Sequence, residues 1–248
     1  MPRLNEKYDI TRYPKITNDV EYKLFLNLWG KASSDKIKKH VEEVGVEQLS
    51  KSFHSDGMCR DSKCMMKIKE NLLKPGDTIL DIGSGAGFYC FKLAFQGFKP
   101  TGLEPSIDLV NYVKELQPFL AKFYQPWGEI KFHVGVEKEA LEIFGEKSFD
   151  VVNAKHVFEH ISNPIKALQR WKKLARKGIC GILPCDETNE IFEGNKQHLW
   201  QFNEDDIKFL LKDQGFVNIG TCCFSGIVKI EGSPDLTLKS LGYWANIS

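Results

Sequence analysis

The chain predicts an α/β fold: a mostly parallel sheet covered by helices on both faces, with an antiparallel end. Three observations carry this. Apolar runs of strand type alternate with helical patterns from residue 78 onward, a glycine-rich turn joins the first such run to a helix, and the last runs follow one another with only a turn between them. At 248 residues the length suits one large domain with an added segment. With 42% apolar and 27% charged residues, the chain can bury a sizeable core, which sets aside collagen-like, disordered and membrane classes.

Lys and Arg (34) balance Asp and Glu (33), so no global field draws the chain to nucleic acid or anionic lipid; general nucleic-acid binding is not expected. The start, MPRLNEKYDI, lacks a secretory pattern, and no stretch of membrane-spanning length is free of charge and glycine. Seven cysteines, an odd number without a secretory signal, read as reduced thiols. A cytoplasmic location is expected, and nothing in the sequence sets an oligomeric state.

Residues 1–61 read as a lysine-rich helical segment, a candidate lid, with Tyr22, Phe25, Leu26 and Trp29, then Ile37, Val41 and Val44, at helical spacing. Ser62 is placed to cap a helix through Leu72, and Pro75-Gly76-Asp77 turns the chain into the next element. Runs at 78–82, 100–103, 130–134, 149–154 and 178–183 are predicted strands. Leu109, Val113 and Leu116, and later Ile165, Leu168 and Trp171, mark helices between them. Asn203 is the predicted cap of another helix, with Glu204, Asp205 and Asp206 at its positive end and Gly215 as a left-handed stop. Runs 216–224 and 227–231, divided by Ser225-Gly226, predict a hairpin. The core then spans 62–232 and leaves 233–248 as a tail.

The most informative stretch is Thr78-Ile79-Leu80-Asp81-Ile82-Gly83-Ser84-Gly85-Ala86-Gly87-Phe88, a buried strand entering glycines and then a helix. Glycines let the backbone approach a ligand, and the helix N-terminus offers N–H groups to a carboxylate or phosphate. A dinucleotide-binding turn would need a third glycine where Phe88 or Cys90 stands, and no Gly-Lys-Ser/Thr follows as in a P-loop. Glu104 ends the next strand, where an acid can accept hydrogen bonds from both hydroxyls of a ribose.

These residues resemble the class I S-adenosylmethionine-dependent methyltransferases: ILDIGSGAGF their first motif, TGLEPS their second, FDVVNAKHVFEHI the fourth strand and turn, HLWQFNEDDIKFLLKDQGF the segment before the last helix. The resemblance implies a Rossmann-like seven-stranded sheet, mostly parallel, with an antiparallel last strand. It implies an enzyme using S-adenosyl-L-methionine, and the acceptor is expected to be a small-molecule substrate, methylated at oxygen. Asp81, Gly83, Ser84, Gly85 and Gly87 would surround the methionine part of the cofactor and Glu104 its ribose. Where many relatives have Gly-Asp-Ala to meet the adenine, this chain has Gly135-Val136-Glu137, which makes Glu137 the candidate there.

After the fourth predicted strand stands His156-Val157-Phe158-Glu159-His160, three chemically capable side chains at i, i+3 and i+4. Several readings stay open. As H-x-x-E-H it matches a zinc hydrolase motif, which needs a continuous helix as platform; Ser162-Asn163-Pro164 instead reads as a new helix start. It also resembles the Glu-x-x-Glu-His turn by which ubiquinone-pathway O-methyltransferases and small-RNA 2′-O-methyltransferases bind a divalent metal. Here Glu159 and His160 match, His156 replaces the first glutamate and His198 stands for the later histidine. Without a metal, the pair orders the loop and His156 or His160 acts as general base. A non-catalytic cofactor-binding protein is the remaining alternative.

The spacings Cys59/Cys64 and Cys180/Cys185 are permissible for zinc, yet the residues read as buried thiols, and Cys222-Cys223 alternate faces of a strand. Trp29, Phe53, Trp200 and Phe202 read as core aromatics. Arg60, His54, Cys185 and Trp200 are candidates to line a substrate pocket.

Overall fold

The computed structural model describes residues 3–4, 60–121, 130–185, 198–228 and 236–248. The helices expected within 5–59 lie outside the described residues, and with them Phe53, His54 and Cys59. Among the described residues, no helix is long and apolar enough to cross a membrane.

Strand β1 (Arg3–Leu4) is followed by α1 (Arg60–Asn71), β2 (Thr78–Ile82), α2 (Phe88–Phe95), β3 (Lys99–Glu104), α3 (Ile107–Ala121), β4 (Lys131–Val134) and α4 (Ala140–Phe144). Then come β5 (Phe149–Lys155), α5 (Pro164–Leu174), β6 (Ala175–Cys185), β7 (Trp200–Gln201), α6 (Glu204–Asp213), β8 (Phe216–Val228) and β9 (Leu236–Ile247). The main sheet has seven strands in the order β4-β3-β2-β5-β6-β9-β8. Pairs β2/β3, β3/β4 and β5/β6 are parallel, and the last strand, β9, is antiparallel to both β6 and β8. The expected architecture is therefore present. Lys74–Gly145 makes one compact unit and Glu146–Ser248, with α1, belongs to another.

In the first unit, Ile79, Leu80 and Ile82 of β2 are buried, as a strand covered on both faces requires. Leu109, Val110 and Val113 form the apolar stripe of α3. Gly87 takes a left-handed φ of 74°, and a side chain there would overlap Val113 and Phe132.

In the second unit, Asn163 caps α5 by accepting from the Lys166 amide at 3.0 Å, and Pro164 occupies the first turn. Ala167, Leu168, Trp171 and Leu174 bury one face of that helix. Asn203 accepts from the Asp206 amide at 2.9 Å while the Asp206 carboxylate accepts from the Asn203 amide at 3.2 Å, a reciprocal cap for α6. Gly215 follows with φ 70°, the predicted stop. Phe158, Trp171, Phe202 and Tyr243 meet with ring centroids 5.2–6.1 Å apart as the aromatic centre of the unit.

Three expectations need correction. Helix α1 begins at Arg60, so Ser62 lies within its first turn and does not cap it. Residues 216–228 form one strand, with a register shift between Val217 and Gly220 but none at the expected turn, where Ser225 stands opposite Lys239 and Gly226 opposite Leu238. The partner of that strand is 236–247, so the expected tail is an interior strand of the sheet.

Candidate functional site

Glu104 ends β3 at 2% exposure. Its Oε2 accepts from the Gly85 amide at 2.9 Å and its Oε1 from the Ser106 amide at 3.0 Å. Burial raises its pKa from the ordinary value, and those two amide hydrogen bonds work in the opposite direction. Each oxygen keeps a second acceptor direction.

The glycine turn is tied to β3 by the amides of Gly83 and Ser84, both donating to the Leu103 carbonyl at 2.8 and 3.1 Å. Gly83, Gly85 and Gly87 all have positive φ. No atom lies within 4 Å of where a Cβ of Gly85 would stand, and the buried Ser84 Oγ has no hydrogen-bond partner among the described residues. The open space at Gly85 fits a ligand seated on the turn, while the Ser84 Oγ faces Gly102 of β3. Asp81 is buried one turn away and accepts from the Cys90 thiol at 3.4 Å. Burial, then the nearby Asp81 charge, pushes that thiol well above its usual range, which makes it inert. Glu137 opens a 3₁₀ turn after β4, and the Gly135 amide before it donates to the Glu104 carbonyl at 3.1 Å. The predicted cofactor residues thus gather at the carboxyl ends of β2, β3 and β4, the edge where open α/β sheets bind ligands.

The second set follows β5. His156 has a left-handed φ of 53°, and its amide donates to the Ile182 carbonyl at 2.7 Å. Only Phe158–His160 is helical, as a single 3₁₀ turn, so the rigid helix that an H-x-x-E-H hydrolase needs is absent. His156 Nε2 lies 3.0 Å from Asp61 Oδ2, and its Nδ1 lies 3.5 Å from Glu159 Oε1. Burial alone would lower the His156 pKa, but the hydrogen bond with Asp61 and the facing Glu159 carboxylate outweigh it and push it up to about 9. The raised pKa favours the imidazolium at neutral pH, with Nε2 on Asp61 and Nδ1 facing Glu159.

Asp61 was not singled out in the sequence. Burial would raise its carboxyl pKa, yet the His156 hydrogen bond and the Lys155 ammonium 3.1 Å away hold it well below the usual range. The Ser240 hydroxyl donates to its Oδ1 at 2.6 Å. Its signal was unreadable because α1 meets β5 and β9 only in the folded chain.

Glu159 is 1% exposed, and neither oxygen has a hydrogen-bond partner of good geometry among the described residues. Burial raises its pKa, but His156 and His160 together keep it lowered. His160 Nε2 lies 3.8 Å from Glu159 Oε1, and the His160 and His198 rings are 5.1 Å apart. Ligand atoms of Glu159, His160 and His198 fall within 4.8 Å of one another, a spacing a metal ion could bridge. His156 does not belong to that group. The Leu199 amide donates to the Glu159 carbonyl at 2.9 Å, which brings His198 to the turn. Of the pocket candidates, Trp200 is pinned through Nε1 to the Ile161 carbonyl at 2.9 Å, and Cys185 is buried at the end of β6.

Residues 59–220 match a family model described as a methyltransferase domain. The chain is 33% identical over 124 residues to a tRNA U34 carboxymethyltransferase of Campylobacter hominis, covering 48% of this chain and 41% of that one. It is 32% identical over 117 residues to a ubiquinone biosynthesis O-methyltransferase of Maricaulis maris, covering 46% and 41%. The chain spans about half the length of the curated relatives it matches. Its fold is shared with the crystal structure of a SAM dependent methyltransferase from Aquifex aeolicus, with a TM-score of 0.53 and 21% identity over 82% of this chain and 98% of that one.

Proposed function

Because the chain belongs to the methyltransferase family, we propose that it transfers a methyl group from S-adenosylmethionine to an oxygen of a small-molecule acceptor. Glu104 is the observation that carries the reading. A buried carboxylate whose two oxygens each hold one backbone N–H and retain one acceptor direction suits the paired hydroxyls of a ribose. The turn of Gly83, Ser84, Gly85 and Gly87, open at Gly85 and beside Asp81, suits the methionine part. Glu137, in the 3₁₀ turn after β4, is the candidate for the adenine.

When bound, S-adenosylmethionine supplies a methyl carbon already activated by its sulfonium. The chain's own task is to align the acceptor, exclude water and take the acceptor's proton. His160 suits the proton: its ring is one-third exposed and Glu159 stands beside it to balance the imidazolium that forms. His156 is the fixed cation that braces Glu159 from the other side.

A second reading gives the Glu159, His160 and His198 group a divalent metal, and the unpartnered oxygens of Glu159 favour it. That ion would bind and polarise the acceptor oxygen. For the acceptor itself, the Campylobacter relative favours tRNA as the rival to a small molecule. Transfer of radiolabelled methyl to hydroxylated small molecules and to RNA, with and without chelator, tests all of these. Labelled phenols or hydroxy acids support the proposal; label in RNA alone replaces it.

A further inference from the structure

Arg60 and Lys155 stand on the two oxygens of one carboxylate. Arg60 Nε is 3.6 Å from Asp61 Oδ1, and Lys155 Nζ is 3.1 Å from Asp61 Oδ2. Arg60 Nε also donates to the Ser240 hydroxyl at 2.6 Å. Its two terminal nitrogens enter none of the described ion pairs or hydrogen bonds, so the planar fork of the guanidinium is unspent among the described residues. Lys155 likewise has one carboxylate for three donors.

Among the described residues the charges do not balance. Two permanent cations share a single carboxylate that also accepts from His156, and Glu159, the next acid, is engaged by His156 and His160. The side chains of Arg60 and Lys155 are 23% and 32% exposed, sheltered enough for an ion pair to count and open enough for a solute to reach them. Lys155 is the last residue of β5, so the pair stands at the carboxyl end of that strand, the ligand-binding edge of such sheets. A guanidinium fork beside an ammonium matches a carboxylate or phosphate group bidentately.

We propose that Arg60 and Lys155 form an oxyanion site that holds a carboxylate or phosphate group carried by the acceptor. The purpose of the site rests on the methyl-transfer reading; its binding of an oxyanion does not. It predicts an acidic acceptor and discrimination against the corresponding neutral ester.

Calorimetric titration of the full chain with inorganic phosphate and, separately, with benzoate at low ionic strength tests it, with S-adenosylhomocysteine titrated in parallel. The expected result is saturable one-to-one binding of at least one oxyanion, weakened about tenfold or more in Arg60→Met and in Lys155→Met. Arg60→Lys, which keeps the charge and loses the fork, should recover only part of the affinity. Phosphate or benzoate as the tighter ligand tells which group the acceptor carries. Affinity for S-adenosylhomocysteine should be unchanged in these variants. Absence of saturable binding by the wild type, or equal binding by folded Arg60→Met, overturns the site. So does a loss of S-adenosylhomocysteine affinity in Arg60→Met, which would assign the arginine to the cofactor. Should Arg60→Met fail to fold, the wild-type titration and Lys155→Met decide. Failure of S-adenosylhomocysteine to bind a wild type that still binds the oxyanion would sink the methyl-transfer reading alone.

Discussion

The Nε2 atom of His156 lies 3.0 Å from the Oδ2 atom of Asp61, which stands 95 positions earlier in the chain. This pair joins α1 to the turn after β5, and through His156 Nδ1 it reaches Glu159 3.5 Å further on. One imidazolium between two carboxylates fixes a ring whose backbone sits in the left-handed region.

That arrangement makes stability depend on pH. His156 holds its proton with a pKa of about 9 in the folded chain against 6.5 ordinarily. The contribution is complete below about pH 6.5 and is lost as pH rises through 9. With the ring one-third exposed, the loss should be discounted to on the order of 1–2 kcal/mol. Urea denaturation at pH 6.5 and pH 9.5 should show this difference in the wild type and a much smaller one in Asp61→Asn. Equal pH dependence in both proteins would remove Asp61 as the cause.

Turnover separates the histidines. His160→Ala should lower methyl transfer by about 10²–10⁴-fold, the usual contribution of a general base, with cofactor affinity retained. Chelator should leave the wild type unchanged if His160 acts alone. If Glu159, His160 and His198 hold an ion, chelator and His198→Ala should each abolish turnover, and elemental analysis should find the metal at one equivalent per chain. Full turnover in His160→Ala contradicts both mechanisms.

The reciprocal cap at Asn203 gives a stability test remote from the chemistry. Asn203→Ala leaves the Asp206 amide without its partner and should cost about 1 kcal/mol in urea denaturation, with no change in cofactor affinity. A neutral substitution would mean that solvent replaces the cap.

Much of this was legible because it is local. The run Thr78–Ile82, its glycines and Glu104 lie within a strand, a turn and a strand, and Asn203 and Asp206 declare their cap within three residues. Interior strand β9 was not legible: Leu236–Ile247 has polar and small residues on an ordinary pattern, and only its pairing with β6 and β8 makes it central. The Ser225-Gly226 step reads as a turn until a partner strand holds both residues extended. At the candidate site, the spacing of His156, Glu159 and His160 suggested one helical face. The bend at His156 and the distant Asp61 instead set its ring between Asp61 and Glu159, outside the group of Glu159, His160 and His198, and neither follows from spacing.

Binding of S-adenosylhomocysteine by wild type and by Glu104 variants, measured by calorimetry, tests the central claim most directly. Glu104→Ala removes the acceptor for ribose hydroxyls as well as the partner of the Gly85 and Ser106 amides, so circular dichroism should first establish that the variant is folded. The account predicts saturable binding by the wild type and an affinity at least about tenfold lower in folded Glu104→Ala, from the loss of hydrogen bonds worth about 1.5–3 kcal/mol to a charged acceptor. Equal affinity in the two proteins, or no binding by the wild type, would contradict it.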